Sequence, residues 1–380
     1  MFCATRRARE PVRQMVCRRV VTSITICAWW RRCGYGRLHE HRTAMAGPVR
    51  ILITRQIQAQ AIDYIREELP EAELHVHPDE HASPSRREVE TWLERGLDAL
   101  VCVIGDTVDE TLLAHDVQRR LRVISTMSVG YNHIDVGACR RRGIVVGHTP
   151  DVLTETTADL AVGLLIATAR RFREALQAVD KPGGWTSSWS PTWLCGVDVH
   201  HKTVGIIGLG RIGVAVARRL HHGFGCRILY HGSREKPEVA AELGPASFRP
   251  VLDDLLAESD FVIPLCPLTE KTRNLIHAAN LRRMKKTAIL INVSRGEVID
   301  QDAVCDALER GWLTAFGTDV TVPEPLPTNH RLLSVPGVTV LPHIGSATGE
   351  TRLAMARICI ENLVAGVKGK SLPHPVPLHS

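Results

Sequence analysis

No apolar run in this sequence reaches the ~20 residues that a helix needs to cross a bilayer, so a membrane-spanning chain is not expected. No two of the eleven cysteines form a CxxC pair or a metal-ligand spacing. Their number is odd, and they lie scattered through apolar stretches, as Cys102, Cys195 and Cys266 do. That argues against a disulfide scaffold and for reduced thiols in a cytosol-like compartment. Net charge is nearly absent from most of the chain. Ten Arg and two Glu give residues 1–47 a charge of +8, which leaves −2 of the chain's +6 for residues 48–380. A near-neutral body offers no nucleic-acid surface. No short-period repeat is visible.

One further absence is local. The stretch YHGSREK, Tyr230 to Lys236, follows an apolar run and holds no acid before Glu235. A dinucleotide-binding fold that takes NAD keeps an acid about 20 residues past its glycine turn, where it binds the ribose 2′-hydroxyl.

At 380 residues the chain is long enough for two domains and a large core. Residues 1–47 are Arg-rich, acid-poor and without a helical apolar stripe. They read as a mitochondrial transit peptide, as a disordered arm, or as the product of an upstream start, since Met45 opens the plausible terminus MAGPVRILITR.

From residue 49 onward, strand and helix signals alternate. VRILIT, LDALVCVIG, LRVISTMSVG and GIVVGHTP are short apolar runs, two of them ending in Gly, as buried parallel strands do. A second series begins at Lys202 with KTVGIIGLG, CRILYH, DFVIPLC, TAILINV, AFGTDV and VTVLPH. The pattern predicts parallel sheets with helices on both faces. Residues 153–178 read as one long helix, with Thr154 or Thr156 as its cap. The last helix, 350–369, is expected to return to the first domain. The chain then crosses between domains near Pro150 and near His343, which places a cleft between them. The expected domains are 48–150 with 344–380, and 151–343.

TVGIIGLGRIG places G-x-G-x-x-G at Gly208, Gly210 and Gly213, between a β-rich run and the helical stretch GVAVARRL. The glycines permit a tight turn and close approach to a diphosphate, and the helix start supplies free N–H groups. Ser233 lies 20 residues after Gly213 and is followed by Arg234 and Lys236. A hydroxyl and two cations attract a 2′-phosphate that a carboxylate would repel. This predicts NADP(H) as the preferred cofactor, with NAD(H) possible. The competing reading is a solvated basic turn with Glu235 on the ribose.

Three charged residues stand at the ends of later strands: Arg295 in INVSRG, Glu324 in TDVTVPEPLP and His343 in LPHIGSAT. Together they suit reduction of a 2-keto acid. Arg295 pairs with the substrate carboxylate and polarises the keto oxygen. His343 donates a proton to that oxygen. Glu324, bonded to the imidazole, orients it and favours its protonated form. Any one of these residues alone would be unremarkable; the joint placement carries the reading. Metal binding is not expected. His75, His77 and His81 form only a loose cluster in a surface turn.

GLGRIG, NVSRG, DVTVPEPLP and LPHIGSAT, in that order, make the chain resemble the D-isomer-specific 2-hydroxyacid dehydrogenases over residues 49–370. Within that family VISTMSVG, TPDVLTETTADLAV, GGWTSSW, WLCG and PEPLPTNHRLL resemble the members that reduce glyoxylate and hydroxypyruvate. The resemblance implies a Rossmann cofactor domain and a flavodoxin-like substrate domain, both doubly wound. It implies a catalytic trio at Arg295, Glu324 and His343. Cofactor contacts are implied for Gly210, Arg211, Ile212, Ser233, Arg234, Pro267, Val293 and Asp319. Substrate contacts are implied for Gly105 and Asp106 through backbone amides, and for Ser346. The resemblance also implies a homodimer in which a loop Trp reaches the partner's site, here Trp189 with Trp185 as the rival. Two departures stand out: the WTSSW loop is one residue longer, and Thr318 replaces a Gly. The dinucleotide-sensing corepressors share fold and trio, and phosphoglycerate dehydrogenase is a nearer rival. The reading expects a soluble cytoplasmic enzyme, mitochondrial if the leading segment is a transit peptide.

Overall fold

The computed structural model describes residues 47–377 except 81, 187–188 and 244–245. The leading segment and His81 therefore lie outside the described residues.

Five short strands form the first sheet: β1 (Arg50–Ile53), β2 (Glu73–Val76), β3 (Ala99–Cys102), β4 (Val123–Thr126) and β5 (Val145–Gly147). All pairings are parallel, in the order β2-β1-β3-β4-β5. Successive residues of a strand point to opposite faces, and here both faces are covered. Leu52, Leu100 and Ile124 enter one core, while Ile51, Ile53 and Val101 enter another. That double burial is why these strands are apolar without alternation.

The second sheet contains β6 (Thr203–Ile207), β7 (Arg227–His231), β8 (Ser247–Phe248), β9 (Phe261–Pro264), β10 (Ile289–Asn292), β11 (Ala315–Thr318) and β12 (Val338–Val340). It too is parallel, in the order β12-β11-β10-β9-β6-β7-β8. The order reverses at β6, between β7 and β9. Such a switch point opens a crevice at the carboxyl ends of the strands.

The predicted long helix over 153–178 is two helices, α1 (Thr154–Ala169) and α2 (Phe172–Asp180). The break has a visible cause. The Val197 N–H donates to the Ala169 carbonyl at 2.9 Å, taking the acceptor that the next helical turn would use. Arg171 then adopts a left-handed φ of 56°. The threonine cap is also absent. Leu153 holds the cap position without a side-chain bond, and the Thr156 hydroxyl instead meets the Thr351 hydroxyl at 2.6 Å.

Arg211–Arg218 forms helix α3 directly after β6, and Gly349–Val367 forms the long final helix α4. Helix α4 packs Met355, Cys359, Ile360 and Leu363 into the core of the first sheet. Helix α1 packs Ala158, Ala161, Leu164 and Leu165 into the core of the second. The 2.6 Å Thr156–Thr351 contact thus joins the starts of the helices that serve the two sheets. No helix among the described residues is long and apolar enough to cross a membrane.

Candidate active site

The chain leaves β6 through Gly208, Leu209 and Gly210 and enters α3. Gly208 has φ +101°, and a Cβ there would lie 2.8 Å from the Cys266 amide nitrogen. A side chain would collide with backbone that cannot move aside. Gly210 meets nothing within 4 Å. The first amides of α3 lack intrahelical acceptors, so a phosphate can approach the open side of this turn. The turn sits at the switch point of the sheet. These features fit the diphosphate of a dinucleotide.

Beyond β7, Ser233 and Arg234 are exposed, while Lys236 is half-buried. The Lys236 ammonium donates to the Leu209 carbonyl at 2.8 Å, and its backbone N–H donates to the Tyr230 hydroxyl at 3.0 Å. Lys236 thus ties the basic turn to the glycine turn with one of its three donors. The Arg211 guanidinium pairs with Asp151 at 2.6 Å. Ile212 is half-buried, packed against both the α1 core and the α4 core. Pro267 is exposed and Val293 buried.

Arg295, Glu324 and His343 all follow strands of the second sheet, after β10, β11 and β12. The His343 Nδ1 donates to Glu324 Oε1. A carboxylate only accepts, so Nδ1 carries the hydrogen and Nε2 is left for other chemistry. Burial pushes the Glu324 carboxyl up. The bond and charge of His343, the Thr321 amide and the Arg295 charge outweigh that push and hold it below its ordinary range. Glu324 is therefore ionised at neutral pH, and its charge is lost only when the pH falls below the usual carboxylate range.

His343 itself is held in a left-handed turn, φ 56°. Its N–H donates to the Asp319 carbonyl at 2.9 Å. The next two amides, Ile344 and Gly345, donate to the two Asp319 carboxylate oxygens at 2.8 Å each. Asp319, expected as a cofactor contact, is only 2 % exposed and clamps the His343 turn. Burial raises its carboxyl above the ordinary value, against the two amides and His343, with Glu324 adding to the rise.

Arg295 is held by loops of both sheets. The Asn292 amide donates to its carbonyl at 2.9 Å, and its own Nη1 donates to the Ser294 carbonyl at 2.7 Å. Its Nε donates to Asn132 Oδ1 at 3.3 Å, in the turn after β4. In that turn a Cβ at Gly130 would overlap the Arg295 guanidinium, so glycine makes the room. Burial draws the Arg295 pKa down, against Glu324 and Glu297. Close by, burial and the Arg295 charge push His133 down to about 4, against the pull of Asp106. A neutral imidazole therefore sits beside the guanidinium.

Gly105 and Asp106 form the turn after β3. Gly105 is exposed, and a side chain there would meet nothing within 4 Å. The Asp106 carboxylate is fully engaged. Thr54 Oγ and the Val103 N–H donate to Oδ2, the latter at 2.9 Å, and Ser83 Oγ donates to Oδ1. Asp106 thus shapes the turn with its side chain. Ser346 is half-buried in the loop after His343. Trp189 is 85 % exposed and Trp185 is exposed as well. The longer WTSSW loop includes residues 187–188, outside the described set. The Thr318 hydroxyl donates to the carbonyls of Asn292 and Val320, which gives the departure from Gly a local packing role. Among the described residues no group of three His, Cys, Asp or Glu side chains could hold a metal. The reading from sequence missed Gly130, Asn132, Thr54 and Ser83. Their one signal was position, in loops at the carboxyl ends of strands.

A glycine turn at a switch point, a hydrogen-bonded His–Glu pair at the carboxyl edge of the same sheet, and an Arg bonded to a loop of the other sheet fit a dinucleotide-dependent oxidoreductase. The comparisons agree. Residues 162–345 match the family described as D-isomer specific 2-hydroxyacid dehydrogenase, NAD binding domain. The chain is 48 % identical over 304 residues to the human "Glyoxylate reductase/hydroxypyruvate reductase", covering 77 % of this chain and 91 % of that protein. It is 46 % identical over 327 residues to "Glyoxylate reductase" of Thermococcus kodakarensis, covering 85 % and 95 %. Among solved structures, a Thermus thermophilus protein superposes with a TM-score of 0.78 at 40 % identity, covering 87 % of this chain and all of that one. An NADPH-dependent glyoxylate/hydroxypyruvate reductase from Sinorhizobium meliloti, in complex with NADP and malonate, gives 0.72 at 32 %, covering 87 % and 97 %. This chain belongs to the D-isomer specific 2-hydroxyacid dehydrogenase family, and it is an oxidoreductase that uses a nicotinamide dinucleotide.

Proposed function

We propose that this chain reduces glyoxylate to glycolate and hydroxypyruvate to D-glycerate, with NADPH as the preferred reductant. The observation that carries the reading is the His343–Glu324 pair, set at the carboxyl edge of the sheet whose glycine turn fits a dinucleotide. The bound dinucleotide supplies the hydride. Arg295 binds the substrate carboxylate and draws electron density toward the keto oxygen. His343 delivers the proton from Nε2 to that oxygen as the carbonyl carbon is reduced. Glu324 keeps Nδ1–H oriented and stabilises the imidazolium that precedes transfer. The Gly105–Asp106 turn, braced by Thr54, Ser83 and Val103, offers backbone to the substrate.

Glu324→Gln removes the negative charge beside the imidazole. The alkaline limb of the kcat/KM–pH profile for reduction then moves to lower pH, because the protonated donor loses its counter-charge. An unmoved profile would count against coupling between the two side chains.

The exposed Ser233 and Arg234 support NADPH over NADH. Ser233→Asp places a carboxylate against the 2′-phosphate. It lowers kcat/KM for NADPH by ~10²-fold and spares NADH, since like-charge juxtaposition costs several kcal/mol. Equal use of both coenzymes by the unaltered chain would refute the preference.

A homodimer is part of the same reading. Helix α2 buries none of its residues within the chain; Phe172, Leu176 and Val179 lie exposed on one face, and Trp185, Trp189 and Trp193 of the following loop are exposed too. Apolar area of this kind marks an interface, from which Trp189 would reach the partner's site. Sedimentation should give twice the chain mass at micromolar concentration; a monomer would overturn this part. The seven cysteines of the described residues are all unpaired, which supports a reducing compartment such as the cytoplasm.

A further inference from the structure

A second arginine stands in a loop at the carboxyl edge of the first sheet, outside the trio. Arg55 follows β1 and is half-buried. Its Nη1 donates to the Ser83 hydroxyl and, at 3.2 Å, to the Thr54 carbonyl. Ser83 in turn donates to Asp106, so guanidinium and carboxylate are joined through a hydroxyl and do not pair directly. Arg55 makes no ion pair with any described carboxylate, and both of its bonds use Nη1. A guanidinium has five donors in a fixed fork. Among the described residues the Nε and Nη2 donors of Arg55 have no partner.

The sheet order places this cation. Strands β1, β3 and β4 are consecutive neighbours, and adjacent strands lie about 4.8 Å apart. Arg55 follows β1, the open Gly105–Asp106 turn follows β3, and the Gly130–Asn132 turn that touches Arg295 follows β4. His133 senses the charges of both Arg295 and Asp106, which sets these groups around one imidazole. Two arginines therefore flank the Gly105 turn, about two strand spacings apart along the carboxyl edge. Arg295 takes the carboxylate end of the substrate.

We infer that Arg55 is a specificity-determining residue, whose free donors recognise a hydrogen-bond-accepting oxygen on C3 of the 2-keto acid. The inference rests on the function proposed above and deepens it. A site built to bond such an oxygen discriminates against substrates lacking it far better than an apolar pocket does. Glyoxylate has no C3, and pyruvate carries only a methyl group there, so hydroxypyruvate gains most from Arg55. The Ser83 hydroxyl fixes the fork, and Asp106 fixes Ser83, so substrate turn and specificity group are set by one network.

The test uses the full chain with saturating NADPH. In Arg55→Met, the ratio of kcat/KM for hydroxypyruvate to that for glyoxylate falls ~10-fold or more, chiefly through KM. Arg55→Lys, which keeps a charged donor, recovers part of the ratio. A ratio unchanged in Arg55→Met overturns the inference, whether both activities persist or both fall together. A wild-type chain that reduces neither acid overturns the functional reading first. A wild type that reduces both acids, with a ratio indifferent to Arg55, overturns the specificity role alone.

Discussion

His343→Ala lowers kcat for keto-acid reduction by ~10²–10⁴-fold, the range that a positioned general acid contributes. The expectation follows from how much structure is devoted to one imidazole. Glu324 occupies Nδ1, which fixes the tautomer and leaves Nε2 as the one nitrogen able to transfer a proton. Asp319 accepts three backbone N–H groups in a row, from His343, Ile344 and Gly345, and so holds the turn in a left-handed conformation that non-glycine residues seldom adopt. Removing the imidazole leaves this frame in place, because each of those bonds joins a backbone N–H to Asp319 and none uses the imidazole. The variant should therefore still bind NADPH, read by coenzyme fluorescence, while turnover is lost. Wild-type turnover in His343→Ala would remove the residue from the mechanism. Lost coenzyme binding would assign it a structural task.

Arg295→Ala lowers kcat/KM by ~10²-fold or more, the scale seen when a preorganised electrostatic contact to the reacting oxygen is deleted. Arg295→Lys should restore little. The guanidinium is held at several points, by Asn132 and by the Ser294 carbonyl, in space that only a glycine at position 130 leaves open. A lysine ammonium is a point charge and cannot reproduce the planar two-point grip. The comparison separates charge from geometry. A lysine variant with near wild-type kcat/KM would show that charge alone is needed, and an alanine variant with wild-type kinetics would exclude Arg295 altogether.

The parts of this account legible in the sequence are those set by local chemistry. Apolar runs ending in Gly marked strands because both sheet faces are covered. The spacing of Gly208, Gly210 and Gly213 marked the turn because a positive φ at Gly208 and close backbone approach at Gly208 and Gly213 leave no room for a side chain, while Gly210 keeps the outer side of the turn open. Arg295, Glu324 and His343 were legible together because each lies in a loop that follows a strand of one parallel sheet, at its carboxyl edge. The partners of those residues were not legible. Asn132 meets Arg295 across 163 positions of chain, and nothing in SVGYN announces it. Asp319 read as a cofactor contact, and its bonds to the amides of Ile344 and Gly345 were not announced by any motif. The helix over 153–178 read as continuous because its apolar spacing is, and the bond that breaks it comes from Val197, beyond an intervening loop. The trio alone also fits a dinucleotide-sensing partner protein. The reductase reading draws its further weight from relatives approaching half identity along most of the chain.

The most direct test is coenzyme oxidation by the purified chain with NADPH and glyoxylate or hydroxypyruvate, followed together with product formation. One glycolate or D-glycerate should appear for each NADPH consumed, and both signals should vanish together in His343→Ala. NADPH left intact in the presence of every 2-keto acid offered would contradict the assignment of the cleft as a keto-acid reductase site.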